Sequence, residues 1–426
     1  MLCPPLTLGV DCGTSGLRVA VVNRAGLVQA EAACPYPRPF ADPEGWRQGL
    51  ITLVASLDPD LRAAVGAIAV AGTSGTLLLC GRDGSPLQGE LGLALPYSQA
   101  CPEQAAAAAA LAADQHESPA GSASGSLARA LRLLTSASEA GLHHGQLRLR
   151  HQADWLMGWL RGSWRWGEEG NNLRLGWMLE EQRWAGAISR QPWAAALPEL
   201  VPSGTVLGPL GAAAVRTLGL AERCLVVAGS TDANAAVLAA DPAAGDGIAV
   251  LGTTLALKQV CTQPLHGAGI SCHRVGGRWL VGGASNAGAG VLRQFFTDAQ
   301  LEELSRQIDP SQPSGLQLRP LPARGERFPV DDPDLEPVLG PRPVSDCLYL
   351  QGLLEGLAAI EAAGWQRLRQ LGAPPLERVI SLGGGARNPQ WRAIRQRVLG
   401  VPVLNRPGLT AAQGMARLAA GALPPP

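Results

Sequence analysis

Lysine is almost missing from this chain: of 35 basic residues only Lys258 is a lysine. With alanine, glycine and proline so abundant, that scarcity reads as the bias of a GC-rich coding sequence and not as chemistry. Net charge is missing too, since 35 acidic residues balance the basic ones. No excess of either sign points to nucleic acid or an anionic membrane. The nine cysteines, at 3, 12, 34, 80, 101, 224, 261, 272 and 347, form no C-x-x-C pair, and the six histidines lack metal-ligand spacing. Neither a zinc site nor a disulfide framework is expected, and free thiols suit a reducing compartment. The opening Met1-Leu2-Cys3-Pro4-Pro5-Leu6 is too short and uncharged for a secretory leader. No apolar run approaches the roughly 18 residues of a membrane span. The expectation is a soluble, cytoplasmic protein (or a chloroplast one from a plant source, without a visible transit peptide), monomeric or homodimeric.

What is there is a well-packed globular composition, 426 residues with 46% hydrophobic and 16% charged side chains, enough for two or three domains. The most informative stretch runs from Leu8 to Val22. An apolar run ends at Asp11, Gly13-Thr14-Ser15-Gly16 makes a turn, and a second apolar run follows. That pattern predicts a β-hairpin with a polar, glycine-rich tip. Glycine lets backbone N–H groups approach a phosphate, and Thr14 and Ser15 add hydroxyl donors. Asp11 at the strand end is placed to hold hydrated Mg²⁺ beside such phosphates. An ordinary hairpin turn is the other reading of the same residues.

Further along, short apolar runs at 17–22, 65–71 and 76–80 give the chain a β-rich start within an α/β domain. The alanine-rich 103–113 predicts a helix, 118–126 a loop, and 127–134 and 151–160 further helices. The tryptophans at 155, 159, 164, 166, 177, 184 and 193 read as packing between helices. The Pro/Gly-rich 198–211 reads as a connector. Cys224–Gly229 is a buried-strand signal, and Gly229-Ser230-Thr231-Asp232 runs from that strand into a helix. Residues 247–257 repeat the strand, Gly252-Thr253-Thr254 tip, strand pattern of 8–22, so the chain reads as two related halves. Residues 308–345 form a Pro-rich excursion, 350–371 a helix, and 379–382 a strand leading through Gly383-Gly384-Gly385 into another helix. A last helix covers about 409–421.

Read together, D-x-G-T-S, G-S-T-D-A, L-G-T-T and G-G-G-A-R-N-P-x-W, in that order and spacing, resemble the FGGY family of carbohydrate kinases of the actin-like, hexokinase-like superfamily. Glu44-Gly45-Trp46, Gly72-Thr73-Ser74-Gly75, Gly283-Ala284-Ser285-Asn286-Ala287-Gly288 and Gly325-Glu326-Arg327-Phe328-Pro329 extend the likeness along the chain. Within the family it is most similar to a short xylulokinase-like subgroup of cyanobacteria and plants associated with D-ribulose. Gly-Thr-Ser-Gly in place of Gly-Gln-Met-His-Gly supports that placement.

The resemblance implies two actin-like (ribonuclease H-like) α/β domains with a cleft between them. They are expected at 1–226 and 227–426, with the last helix packing back on the first. It implies ATP and Mg²⁺ as cofactors and a small sugar as substrate, D-ribulose first, D-xylulose or another polyol second. Asp232 would be the catalytic base, a role set against simple helix capping. Asp11 and Asp232 would approach the sugar and Mg²⁺, and Ser74 would contact a sugar hydroxyl. Gly13, Thr14, Ser15, Gly252, Thr253 and Thr254 would bind phosphate. Gly384, Gly385, Asn388 and Trp391 would cradle adenine and ribose, with Trp391 open to a core role. Asn286 and Gly288 could line the nucleotide site, and Asp154 reads as structural. One departure stands out: Leu95-Pro96-Tyr97-Ser98-Gln99-Ala100 carries neither the Asp nor the Arg of the family's W/Y-x-D-x-R segment. That leaves an ATPase or sugar sensor without kinase activity as the rival.

Overall fold

The first apolar runs form their hairpin because the side chains of both strands are wanted inside. A computed structural model describes residues 5–113 and 119–423, which divide into two units. Cys3, with the rest of residues 1–4, and residue 118 of the expected loop lie outside the described residues. The first unit takes the chain as far as Ala239, together with 274–277 and the segment from Thr410 onward. In it β1 (Leu6–Cys12), β2 (Gly16–Val22) and β3 (Val28–Pro35) make an antiparallel meander. Then β4 (Val65–Gly72) lies parallel to β1. β5 (Val206–Pro209) and β6 (Leu225–Thr231) complete a six-stranded sheet of order β5-β6-β4-β1-β2-β3. β1 is buried at every residue and β4 at all but one, as strands covered on both faces require.

Helices supply the cover. Pro43–Ala55 starts with Pro43 at its first turn and the Asp42 carboxylate on the Glu44 N–H. It buries Trp46 completely, edge-on to Trp155 of the helix Gln152–Arg161. Trp155, Trp159 and Trp193 are core residues. On the opposite side the C-terminal helix Ala411–Ala420 packs on β1 and β4 with backbone against backbone. A Cβ on Gly9 would sit 1.8 Å from the Ala412 carbonyl, and one on Gly414 1.8 Å from that of Ala235.

Two expectations are corrected here. The stretch 198–211 is not a plain connector, since it contains β5, antiparallel to β6, as well as the short strand Glu199–Val201. Nor does the division fall after 226. β6 is hydrogen-bonded parallel to β4 inside the first sheet, so Asp232 belongs to the first unit, whose first segment runs on to Ala239.

The second unit holds residues 240–273 and 278–409. Its strands are β7 (Asp246–Leu251), β8 (Leu255–Cys261), β9 (Ile270–Val275, of which 270–273 belong to this unit), β10 (Arg278–Ser285), β11 (Arg378–Leu382) and β12 (Val403–Asn405). They run in the order β9-β10-β8-β7-β11-β12. Again an antiparallel hairpin, β7–β8, is joined by a parallel strand, β11, on its other side. The repeat read in the sequence is therefore a repeat of sheet wiring: β7 stands where β1 stands, β8 where β2 does, β11 where β4 does. The 25-residue helix Asp346–Gln370, capped by Ser345 on the Leu348 N–H, forms much of this unit's core. Among the described residues eight cysteines are free thiols and no helix is long and apolar enough to cross a membrane.

Candidate active site

Sheet register assembles the first set of candidates. Cys12 and Thr231 are both paired with Gly72. Asp11 and Gly13, Thr73 and Ser74, and Asp232 therefore lie in one row at the carboxyl ends of β1, β4 and β6, where parallel strands of α/β sheets present ligand sites. Asp11 is only 6% exposed, and its Oδ1 is buried without a hydrogen-bond partner. Burial first, then the charge of Asp232, push its carboxyl up to about 6, against the opposing pull of Arg18. Arg18 lies opposite it across the hairpin, 3.5 Å from Oδ2, and is half exposed. Asp232 is raised by burial as well, and N–H donors from Ala233 and Ser74 pull it down. The Ala233 bond is 2.8 Å. The carboxylate does engage its own helix start, yet Ser74 of the neighbouring turn shares it.

Two acids brought together in a half-dry site favour a cation between or beside them. The orphaned Asp11 Oδ1 fits Mg²⁺, which takes one or two carboxylates together with phosphate oxygens and water. No group of three or more His, Cys, Asp and Glu side chains that could hold a metal ion occurs among the described residues.

Around this row the turns are tied together. The hairpin tip closes with Gly13 N–H on the Gly16 carbonyl at 3.0 Å, leaving Thr14 and Ser15 exposed. Tyr36 Oη donates to the Gly13 carbonyl at 2.7 Å and receives Gln152 Nε2 at 3.3 Å. Gln152 Oε1 accepts the Thr73 N–H at 3.0 Å and the Thr73 hydroxyl at 2.9 Å. Beneath lies a buried polar layer. Asp154 accepts the Glu168 N–H and Asn172 Nδ2, each at 3.0 Å, and burial pushes its carboxyl up to about 7. Its ligands are internal, which is a structural role.

In the second unit the Gly252-Thr253-Thr254 tip is held by the segment after β10. Ala289 and Gly290 N–H groups donate to the Gly252 and Thr253 carbonyls at 3.0 and 3.1 Å. A Cβ on Gly288 would lie 2.5 Å from the Thr253 carbonyl. Asn286 is fixed by Glu326, which accepts its N–H at 2.7 Å and the Ser285 hydroxyl at 2.5 Å. Gly383 adopts a positive φ of 83°, and a Cβ on Gly384 would meet nothing within 4 Å. That backbone is open to a flat ligand. Asn388 caps the helix Pro389–Leu399 through the Trp391 N–H, and its Nδ2 donates to Ser305 at 2.9 Å. Trp391 is 4% exposed and packs behind Gly385, a core position, while its indole N–H has no acceptor.

Sequence reasoning missed Arg18, Tyr36, Gln152 and Tyr97. Only Arg18 had a signal: a cation spaced to face Asp11 across a short hairpin.

This architecture matches solved kinases across almost the whole chain. A xyloylose kinase from Brucella ovis superposes with TM-score 0.83 at 21% identity, covering 98% of this chain and 90% of that one. A xylulose kinase from Rhodospirillum rubrum gives 0.78 at 22%, covering 97% and 89%. Glycerol kinase from Plasmodium falciparum with ADP gives 0.80 at 15%, covering 97% and 89%. The chain thus has the mixed α/β two-domain fold of these sugar kinases. Residues 247–423 match the C-terminal domain of the FGGY family of carbohydrate kinases. FGGY carbohydrate kinases are phosphotransferases that act on sugar hydroxyl groups.

Proposed function

We propose that this protein is an ATP-dependent sugar kinase that phosphorylates a ketopentose, D-ribulose first, giving D-ribulose 5-phosphate and ADP. The observation that carries the reading is the row of Asp11, Ser74 and Asp232 beside the Gly13-Thr14-Ser15 tip. Phosphoryl transfer needs little covalent help, so positioning and charge do the work. Asp232 accepts the proton of the attacking sugar hydroxyl. Its raised affinity for a proton suits a base, a contribution of roughly 10²–10⁴-fold. The Ser74 N–H holds that carboxylate in place, and the Ser74 hydroxyl is offered to the sugar.

Thr14 and Ser15 present donors to phosphate beside Gly13, whose own N–H closes the tip on Gly16, with Arg18 as the nearby positive charge. In the second unit Thr253 and Thr254 do the same beside Gly252, whose N–H is held by the Thr254 carbonyl, and Gly384, Gly385 and Asn388 take the adenosine. Asp11 and Asp232 would hold Mg²⁺, which, when bound, neutralises phosphate charge. Trp391 supports this surface from behind Gly385. D-Xylulose is the second reading, favoured by the xylulose kinases among the structural relatives.

The test is ADP release with Mg·ATP across a panel of ketopentoses, polyols, gluconate and a no-sugar control, with the product identified by mass. One ketopentose strongly stimulating release supports the reading. Binding of ATP with no sugar raising turnover above the control overturns it in favour of an ATPase or sensor.

A further inference from the structure

The segment that departs from the family pattern is built into the site by three anchors. The Tyr97 N–H donates to Thr76 Oγ1 at 3.1 Å. The Tyr97 carbonyl accepts from Arg129, a fully buried guanidinium that also holds the Gly75 carbonyl at 3.1 Å and the Gln99 carbonyl at 2.9 Å. The Tyr97 hydroxyl, at the end of a ring that is 40% exposed, lies 3.3 Å from Thr14 Oγ1. Thr76 in turn bonds Thr73 Oγ1 at 2.6 Å. With the Tyr36 and Gln152 bonds this closes a circuit: Gly13, Tyr36, Gln152, Thr73, Thr76, Tyr97, Thr14. Two tyrosines therefore grip the hairpin tip, one at the Gly13 carbonyl and one at the Thr14 hydroxyl.

We infer that Tyr97 is a positioning residue for phosphoryl transfer that acts through Thr14, an inference resting on the reading of Thr14 as a phosphate ligand. A hydroxyl has one proton to give and lone pairs to receive. Either oxygen can be the donor between Tyr97 and Thr14 while no anion is bound. A phosphoryl oxygen that accepts the Thr14 proton leaves Thr14 Oγ1 as the acceptor for Tyr97. The donor chain then runs one way, from Tyr97 to Thr14 to phosphate, and each bond polarises the next. Tyr97 also carries this link from the sugar turn 73–76, so the sugar-side loop and the phosphate tip share one hydrogen-bonded frame.

The experiment is a double-mutant cycle with Tyr97→Phe and Thr14→Val, plus Thr14→Ser as the conservative variant. Tyr97→Phe removes one hydroxyl from a half-exposed ring and leaves the backbone anchors intact. The first readout is the ratio of Mg·ATP to Mg·ADP affinity by calorimetry without sugar, which isolates the terminal phosphate. The second is kcat for sugar-dependent ADP release. Tyr97→Phe is expected to lower the affinity ratio by roughly 2- to 13-fold, the weight of one hydrogen bond. It should have almost no effect in the Thr14→Val background and regain its effect in Thr14→Ser. The same loss in the Thr14→Val background, or none in the wild type, overturns the assignment. If no sugar stimulates the wild-type protein, the kinase reading fails, and the coupling on ATP affinity still decides the role of Tyr97.

Discussion

Replacing Arg395 with methionine should loosen the second unit far more than replacing Arg395 and Glu361 together. The Arg395 guanidinium is fully buried. It forks onto both oxygens of Glu361 at 2.5 and 2.8 Å and donates to Ser381 Oγ at 2.6 Å. Trp365 Nε1 also donates to that carboxylate, at 3.1 Å. These bonds lock the helix Pro389–Leu399 to the helix Asp346–Gln370 and to β11, on either side of the Gly383–Gly385 turn. Arg395→Met leaves a carboxylate buried without its cation, a change that costs about 3–5 kcal/mol. Arg395→Met with Glu361→Leu removes both charges, and an apolar replacement of a buried pair is commonly neutral or better. The double variant should recover more than half of the loss. A chain of two units need not unfold in one step, so the assay is native-state hydrogen exchange over residues 346–370 and 389–399. ATP affinity should fall in the single variant and return in the double. A loss of 1 kcal/mol or less in Arg395→Met, or a double variant worse than the single, would refute the reasoning.

Other consequences follow from the same contacts. Gly9→Ala places a methyl 1.8 Å from the Ala412 carbonyl, and neither backbone can yield without parting β1 from the last helix. We expect a loss of at least 1–3 kcal/mol and early proteolytic cutting near Thr410; wild-type resistance to cutting would contradict this. Burial, then the neighbouring charge of Arg129, hold His151 down to about 3 against an ordinary 6.5. Between those values the unfolded chain takes up a proton that the folded chain refuses, so wild-type stability falls as pH drops through that window. His151→Gln removes that loss. Relative to wild type it should gain up to about 1.4 kcal/mol per pH unit below about pH 6.5, while Asp154, 3.8 Å from His151, titrates in both proteins. Denaturant titrations giving parallel stability curves for the two would sink the argument.

Local pattern carried the fold a long way. Both hairpins were legible because apolar runs flank a Gly-Thr tip, and the duplicated wiring follows from them. The division after 226 failed because nothing local tells that β6 will pair with β4, a strand more distant in sequence than β7. The prolines and glycines of 198–211 hid an edge strand that tolerates them. Among the candidate site residues, Asp11 and Asp232 were named from motifs, and sheet register explains why they lie in one row. Tyr36 and Gln152 were out of reach: each is a lone polar residue whose partner lies far along the chain; Tyr97 stood in the departing 95–100 segment, but nothing in that segment pointed to Thr14 as its partner. Asn388 and Trp391 were named for adenosine contact, and their motif did not separate that role from the capping and packing the structure gives them.

We propose Asp232 as the base of a sugar kinase. The most direct measurement is sugar-stimulated ADP release by wild type and Asp232→Asn, with Mg·ATP binding followed in parallel. The preferred ketopentose is expected to stimulate the wild type, and Asp232→Asn to lose roughly 10²–10⁴-fold of that rate while still binding Mg·ATP. Stimulation that survives in Asp232→Asn would contradict the proposal.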